Sequence, residues 1–391
     1  MEILYITSSP ISNTSSANIG NIAIIRGLLA LGNKVTILCA ESPSLYNKEL
    51  ISSLGLDEAK IVPISYRTAT IIAKDGENSK IKYTAKKVLR ELFHSFSLFD
   101  HYKILVKKLF TLNIFNNYYD VMITASDPKS SHLIGKWIFK NHRNCYGKWI
   151  QLYGDPILID ITNKLKLPNS YIKHKEEKLI ENADEVIYVS PLTLNKQREI
   201  FPRFGNKMHF IPIPYIKEKI YKKKPINYSE LKVGYFGNYF TNVRNLGPLY
   251  SYISSNHNIH LHLYGNTDIP LKTTKNITVK SRVSLNEIEK VESEVDILIG
   301  VCNIKGTQIP AKLNYYAATN KPVIFIIDGD EQTKETLYSY LSKFNRYILC
   351  ENNVNSIKNV FDNLKQYDNT NVFPANEFHY LNIAKEMSKL F

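Results

Sequence analysis

Short apolar runs recur along this chain, each ending in a polar turn and followed by a helix-compatible stretch. Strands that alternate with helices pair in parallel, because a crossover of helical length returns the chain to the same end of the sheet. The N-terminal segment sets the pattern. Ile3 to Ile6 reads as a strand, Thr7 to Asn18 as a Ser/Asn-rich loop, and Ile19 to Leu31 as a helix closed by Gly32-Asn33; Val35 to Cys39 reads as the next strand. Ligands of open parallel sheets gather at the carboxyl ends of strands, so the loop from Ser8 to Gly20 is expected to face a binding crevice.

The pattern repeats at Val121 to Thr124, Lys148 to Leu152 and Glu185 to Val189, with Ser126-Asp127-Pro128, Gly154-Asp155-Pro156 and Ser190-Pro191 at their ends. Residues 218–230 are Lys-rich, contain Pro225 and lack apolar periodicity, which predicts a linker. The alternation then restarts, with strands expected at Leu231 to Phe236, Ile259 to Tyr264, Ile277 to Val279, Asp296 to Cys302 and Pro322 to Ile327. The expected organisation is an α/β domain over 1–217, a linker over 218–230, a second α/β domain over 231–376 and a terminal helix over 377–391 that packs back on the first domain.

Composition narrows the class. At 44% hydrophobic and 22% charged residues, the chain of 391 residues reads as an ordinary globular protein. Its +14 net charge suits a polyanionic neighbour, namely nucleic acid, an anionic membrane or a phosphate-bearing substrate. A Lys-, Asn-, Ile- and Tyr-rich codon bias is the bland alternative. No helix-turn-helix, zinc finger or RNA-recognition aromatic motif supports nucleic acid. The four cysteines lie far apart with no metal spacing, and no Asp-x-Asp triplet stands out except Asp328-Gly329-Asp330, which reads as a strand-end turn. No metal site is expected. The first residues lack a basic n-region, so no signal peptide is expected, and no apolar run reaches the ~18 residues of a membrane span.

Residues 80–115 break the alternation. Lysines at 80, 82, 86, 87, 103, 107 and 108 are interleaved with Leu and Phe, and Leu89, Leu92, Phe93 and Phe96 fall on one helical face. A basic helix with an apolar face reads as a membrane-surface segment. A core-facing helix with solvated lysines is the other reading.

Tandem Rossmann-like domains, a linker and a terminal helix resemble the GT-B architecture of glycosyltransferases. Gly234-Tyr235-Phe236-Gly237-Asn238 followed by Arg244-Asn245-Leu246 is similar to the donor-domain opening of family-four retaining enzymes, where a strand ends in Gly-Arg and a Lys follows six residues later. Here Asn238 and Arg244 occupy those two positions. Ile309 to Ile324 is similar to that family's Pro-Gly-Lys-Leu-x-Glu-Tyr segment, with Tyr315 and Thr307 at the positions of its two ribose-side glutamates. Val121 to Pro128, Trp149 to Pro156 and Ala183 to Ser190 resemble its N-terminal segments. The likeness weakens between Ser42 and Tyr118.

The resemblance implies a nucleotide-sugar donor, UDP- or GDP-linked, whose diphosphate is gripped by Arg244 and Lys312 together with Gly237, Asn238, Thr307 and Gln308. A surface arginine and a solvated lysine are the alternatives. Asn18 and Gly20 would face the donor from the first loop, or simply form a turn and helix start. Asp155 would contact the sugar or take the acceptor's proton, or cap a helix before Pro156; Asp127 before Pro128 reads first as a cap. No cofactor is expected beyond the co-substrate. The implied function is retaining, metal-independent sugar transfer to a lipid-linked or polymeric glycan in bacterial cell-surface polysaccharide assembly. Such an enzyme would be cytoplasmic and peripheral on the inner membrane face, with an oligomer or transferase partner as a further option. The absent glutamates motivate a second reading, a catalytically degenerate sugar-binding partner of another transferase.

Overall fold

A computed structural model describes residues 1–13, 15–66, 89–222, 224–269, 271–367 and 372–391. The chain forms two compact units, Met1–Pro212 with Tyr380–Phe391, and Ile213–His379. Each is a parallel sheet clothed in helices.

The first unit has seven strands: β1 (Glu2–Ile6), β2 (Lys34–Ala40), β3 (Lys60–Ile64), β4 (Tyr119–Ala125), β5 (Tyr146–Tyr153), β6 (Glu185–Tyr188) and β7 (Met208–Phe210). They run in the order β3-β2-β1-β4-β5-β6-β7, all parallel. Central β1 pairs Ile3 with Val35 on one side and Val121 on the other. Both faces of such a strand are covered, so its run Ile3-Leu4-Tyr5-Ile6 is apolar without alternation and fully buried.

The second unit has six strands: β8 (Leu231–Phe236), β9 (Ile259–Tyr264), β10 (Ile277–Lys280), β11 (Ile297–Val301), β12 (Val323–Ile327) and β13 (Tyr347–Glu351), in the order β10-β9-β8-β11-β12-β13. All pairs are parallel again. The expected fold class holds: two Rossmann-like α/β units, each with the order reversal at the first strand that creates a ligand crevice. Sequence reading missed β3, β7 and β13, which are three of the four edge strands. β3 carries Pro63, tolerated in a sheet only at an edge, and β7 spans only three residues.

The residues read as a linker are docked. Lys219 N–H donates to Ala318 O at 2.9 Å, Tyr221 and Asn320 exchange two hydrogen bonds of 2.9 Å, and the Lys219 ammonium and Tyr221 hydroxyl meet buried Glu292 at 3.1 and 3.0 Å. Apolar periodicity does not register such attachment, because polar pairs and backbone bonds make it.

Of the basic aromatic insert, residues 80–88 lie outside the described residues. Residues 89–96 are helical. Their apolar face is not a core face: Leu89, Leu92 and Phe96 are exposed, and only Phe93 is half-buried, beneath the Lys103 ammonium. His101–Thr111 follows as a 3₁₀ helix that buries Leu105 and Leu109. No helix among the described residues is long and apolar enough to cross a membrane.

The C-terminal helix Tyr380–Ser388 packs on the helix Ser16–Ala30. Gly27 makes the contact: a Cβ there would lie 2.5 Å from Tyr380 O and 2.6 Å from Ala384 Cβ. Arg26 stacks over the Tyr380 ring, and the Lys148 ammonium reaches Leu390 O at 2.7 Å. Gly27→Ala forces these backbones apart, and the expected outcome is a loss of ~1–3 kcal/mol in urea unfolding. The matching change Ala30→Gly, at the open end of the same helix, is expected to cost no more than ~1 kcal/mol.

Candidate functional site

Each unit gathers polar side chains at the carboxyl edge of its sheet. The two edges differ in how completely those side chains satisfy one another.

In the first unit the edge is closed on itself. Thr7, Ser8 and Ser9, which follow β1, are all buried. Ser8 N–H donates to Ser131 Oγ at 2.8 Å. Asn18 is fully buried; its amide donates to Pro10 O at 2.6 Å and Asn13 O at 3.2 Å and accepts from Ser9 Oγ at 3.0 Å. The Asn18 side chain therefore holds the loop's shape, with both amide hydrogens engaged within it. Gly20 is buried inside the helix, one turn further on.

Asp127 and Asp155 are not helix caps. After Pro156 no helix begins until Asn169, and the helix Ser130–Asn141 takes its first N–H bond from distant Asp100, 3.1 Å from Ser130 N. Asp127 pairs instead with Lys129 at 3.2 Å, and Lys129 pairs with Asp160 at 2.7 Å. Burial works against a charge on Asp160, but Lys129 and the two Thr162 hydrogen bonds outweigh it and hold its carboxyl below the usual range. Asp155 is half-buried within the field of the same lysine.

The loop after Asp155 is fixed by Glu176. This fully buried carboxyl accepts from Leu158 N at 2.8 Å, Ile157 N at 3.3 Å and the Gln197 amide at 3.3 Å. Burial still dominates and lifts its pKa to about 7. Nearby, buried His132 stacks on Tyr153 with centroids 4.1 Å apart and meets Thr124 Oγ1 at 2.9 Å; burial, with Lys129 adding, pushes its pKa down to about 3.

The second unit's edge is built differently. Gly265, at the end of β9, lies against the backbone of Gly237, where a Cβ would overlap Gly237 O. Gly237 N–H donates to Tyr264 O at 2.9 Å, and Asn238 Oδ1 accepts from Asn266 N at 3.0 Å. That placement aims the Asn238 carbonyl at Arg244, whose Nη1 donates to it at 2.8 Å. Arg244 Nε donates to buried Asn303 Oδ1 at 3.1 Å, and Asn303 donates to Gln308 O at 3.0 Å. Ile304 N–H closes the same loop on Val243 O at 2.8 Å. Thr307 and Gln308 thus belong to the loop that carries Arg244's partner.

Lys312 opens the short helix Lys312–Ala317. Its ammonium lies over the Tyr316 ring at 5.7 Å. Burial pushes its pKa down; Glu292 opposes this, while Lys219, Arg282 and Arg244 add to it. Among the described residues, Arg244, Lys312 and Arg282 form no ion pair. Glu292, the carboxylate in the field of Lys312, is itself paired with Lys219 at 3.1 Å, and Arg244 and Arg282 add positive charge there. Asn303, Asn266 and Arg282 went unnoticed in the sequence. Their signal is positional: Asn303 and Arg282 each fall two residues beyond a strand's last residue.

The structure thus brings Gly237, Asn238, Arg244, Thr307, Gln308 and Lys312 to one edge of the second unit, and Asn18, Gly20 and Asp155 to the first. Asp328-Gly329-Asp330 is a strand-end turn in which Asp330 caps the next helix through Thr333 N at 2.8 Å.

The buried carboxyl sets a pH dependence. Folded Glu176 keeps a proton that the unfolded chain sheds near pH ~4.3, so its contribution to stability declines as pH rises from there through about 7. His132 works oppositely, staying neutral in the fold while the unfolded chain gains a proton below ~6.5, so its contribution fades on acidification. Glu176→Gln removes the first effect and leaves the second. Between about pH 5 and about pH 8, urea unfolding is expected to show the variant gaining on the parent by an amount on the order of 3 kcal/mol.

No family model and no curated protein sequence matches the chain. Solved structures match along its whole length. A glycosyltransferase from Rickettsia africae ESF-5 is 15% identical with a TM-score of 0.57, covering 100% of this chain and 97% of that one. The lipopolysaccharide outer core galactosyltransferase WaaB, in its apo form, is 11% identical with a TM-score of 0.52, covering 100% and 99%. Arabidopsis thaliana UGT89C1 complexed with UDP is 12% identical with a TM-score of 0.50, covering 100% and 94%. At these identities the likeness is one of fold, and the fold is the tandem Rossmann-like architecture of GT-B glycosyltransferases.

Proposed function

We propose that this chain is a glycosyltransferase that draws its sugar from a nucleotide-sugar donor held by the second unit. One observation carries the reading: among the described residues Arg244, Lys312 and Arg282 form no ion pair, and both arginines add to the positive field on Lys312 at the carboxyl edge of a Rossmann-like sheet. A departing nucleoside diphosphate concentrates negative charge, and preorganised cations stabilise it as it forms. Arg244 is the proposed main grip, its plane fixed by Asn303 and the Asn238 carbonyl, which are neutral and leave its charge intact. Lys312 supplies the second charge, and Gly237, Thr307 and Gln308 lie on the loops of the same sheet edge. With that much protein charge, transfer proceeds without a divalent metal.

The finer reading keeps Asp155 as the group that meets the sugar or the acceptor hydroxyl. Retention of configuration follows from the resemblance to family-four enzymes. The acceptor is a lipid-linked or polymeric glycan of bacterial cell-surface polysaccharide; the WaaB likeness supports this class, and the UGT89C1 complex supports UDP over GDP. A second reading, a catalytically degenerate sugar-binding or stabilising partner of another transferase, is favoured by Tyr315, which stands where the resemblance places a glutamate.

A thermal-shift panel of UDP, GDP, ADP, CMP and their sugar conjugates tests the assignment. One base is expected to raise Tm, with the shift unchanged by Mg²⁺. Arg244→Ala and Lys312→Ala are each expected to weaken that ligand ~10–100-fold, as for the loss of a charge-assisted hydrogen bond. Gly265→Ala is expected to match Arg244→Ala, because it displaces the loop that aims the arginine. Silence from every nucleotide in folded protein would leave the partner reading.

A further inference from the structure

The exposed apolar face of the insert borders a groove in the first unit. The groove runs between residues 96–103 and two helices, Ser130–Asn141 and Asn169–Ile180, and has a volume of about 650 Å³, within the range of small-ligand pockets. Phe96, Phe99, Leu133, Leu167, Tyr171 and Leu179 line it. Phe96 is 57% exposed and Tyr171 46%, so the apolar surface continues out of the groove mouth. Leu92 and Leu89, one and two turns before Phe96 on the same helical face, are exposed as well. Scattered exposed apolar residues need no explanation, but a contiguous stretch around a groove marks an interaction site.

Lysines surround this surface. Lys103, Lys136 and Lys175 border the groove itself. None has a carboxylate partner among the described residues: Lys103 meets Ser97 Oγ at 2.7 Å, Lys136 meets Lys178 O at 3.0 Å, and Lys175 lies over the Tyr171 ring. Lys107, Lys108 and Lys140 stand on the adjoining elements, also without ion pairs. Burial pushes Lys136 below its usual pKa, and Lys140, Lys175 and Lys178 add to the push, with Glu181 alone opposing it. The lysines repel one another, and an anion at the groove mouth would relieve them.

We propose that this groove takes an acyl chain of an anionic phospholipid, with the lipid phosphate on Lys103, Lys136 and Lys175, and so seats this face of the first unit on a membrane surface. Both halves of the ligand are specified: an apolar chain by the lining, a negative headgroup by the lysines at its mouth. A soluble anion would leave the lining wet, and a neutral hydrophobe would leave the lysines unpaired. The inference does not depend on the donor site, which lies in the other unit, so either can fail alone.

Flotation of the full chain with vesicles tests it. Vesicles of phosphatidylcholine with phosphatidylglycerol are expected to carry the protein, and vesicles of phosphatidylcholine alone to carry little. Replacing Lys103, Lys136 and Lys175 by Gln is expected to weaken binding about a hundredfold, near fivefold per lysine. Phe96→Asp and Tyr171→Asp sit on exposed positions that leave the fold intact. They are expected to abolish the fraction of binding that survives high salt, because chain insertion is not screened. A cysteine-attached polarity-sensitive dye at position 171 is expected to shift to the blue with the mixed vesicles. Three results would overturn the proposal: equal binding to both vesicles, binding indifferent to the lysine changes, or binding removed entirely by salt and untouched by Phe96→Asp and Tyr171→Asp. The last would reduce the face to a charged patch, and soluble acidic proteins would become its candidates.

Discussion

Parallel pairing is the constraint from which the rest follows. A strand in a parallel ladder cannot turn back through a hairpin, so each connection leaves at the carboxyl edge, crosses over, in most cases through a helix, and re-enters at the amino edge. Every loop that begins at a strand's end is thereby delivered to the same side of its sheet. In this chain those loops hold nearly all the chemistry: Ser8 and Ser9 after β1, Asp127 after β4, Asp155 after β5, Arg244 after β8, Asn303 after β11. Residues far apart in sequence become neighbours because the sheet has only one such edge.

The two edges spend that proximity differently. In the first unit the polar groups consume one another. Asn18 saturates its amide within its own loop, Lys129 is shared between Asp127 and Asp160, and Glu176 collects three donors. In the second unit hydrogen bonds orient cations without neutralising them. Arg244 is held by two oxygens of neutral groups, which fix its plane and leave its charge intact. Like charges held together destabilise a fold, so an arrangement of this kind stores binding capacity at the expense of stability.

How much was legible in the sequence follows from burial. Central strands announce themselves because both faces are covered and every residue must be apolar, as in Ile3 to Ile6 or Ile297 to Val301. Edge strand β3 is broken by Pro63 and β7 spans only three residues, and both went unread. Among site residues, Arg244 was visible because a cation soon after a strand-end glycine has few other reasons to be there. Asn303 and Arg282 were not, because their importance lies in the register of β11 and β10. The capping reading of Asp127 failed because the helix start borrows Asp100 from another segment, and no local pattern encodes that loan. The insert's periodicity was read correctly as a helix over 89–96, yet periodicity alone does not say whether an apolar stripe meets a core or open surface.

The helix Tyr380–Ser388 belongs to the first unit although the whole of the second precedes it in the chain. During synthesis the helix Ser16–Ala30 emerges without its cover, which follows only after the intervening 213–379. Folding by completed domains in order of synthesis, the usual route for long chains, therefore leaves the first unit with Gly27 and its neighbours uncovered until then. A nonsense mutation or proteolytic cut just before Tyr380 would damage the unit farthest from it in sequence and spare the one beside it.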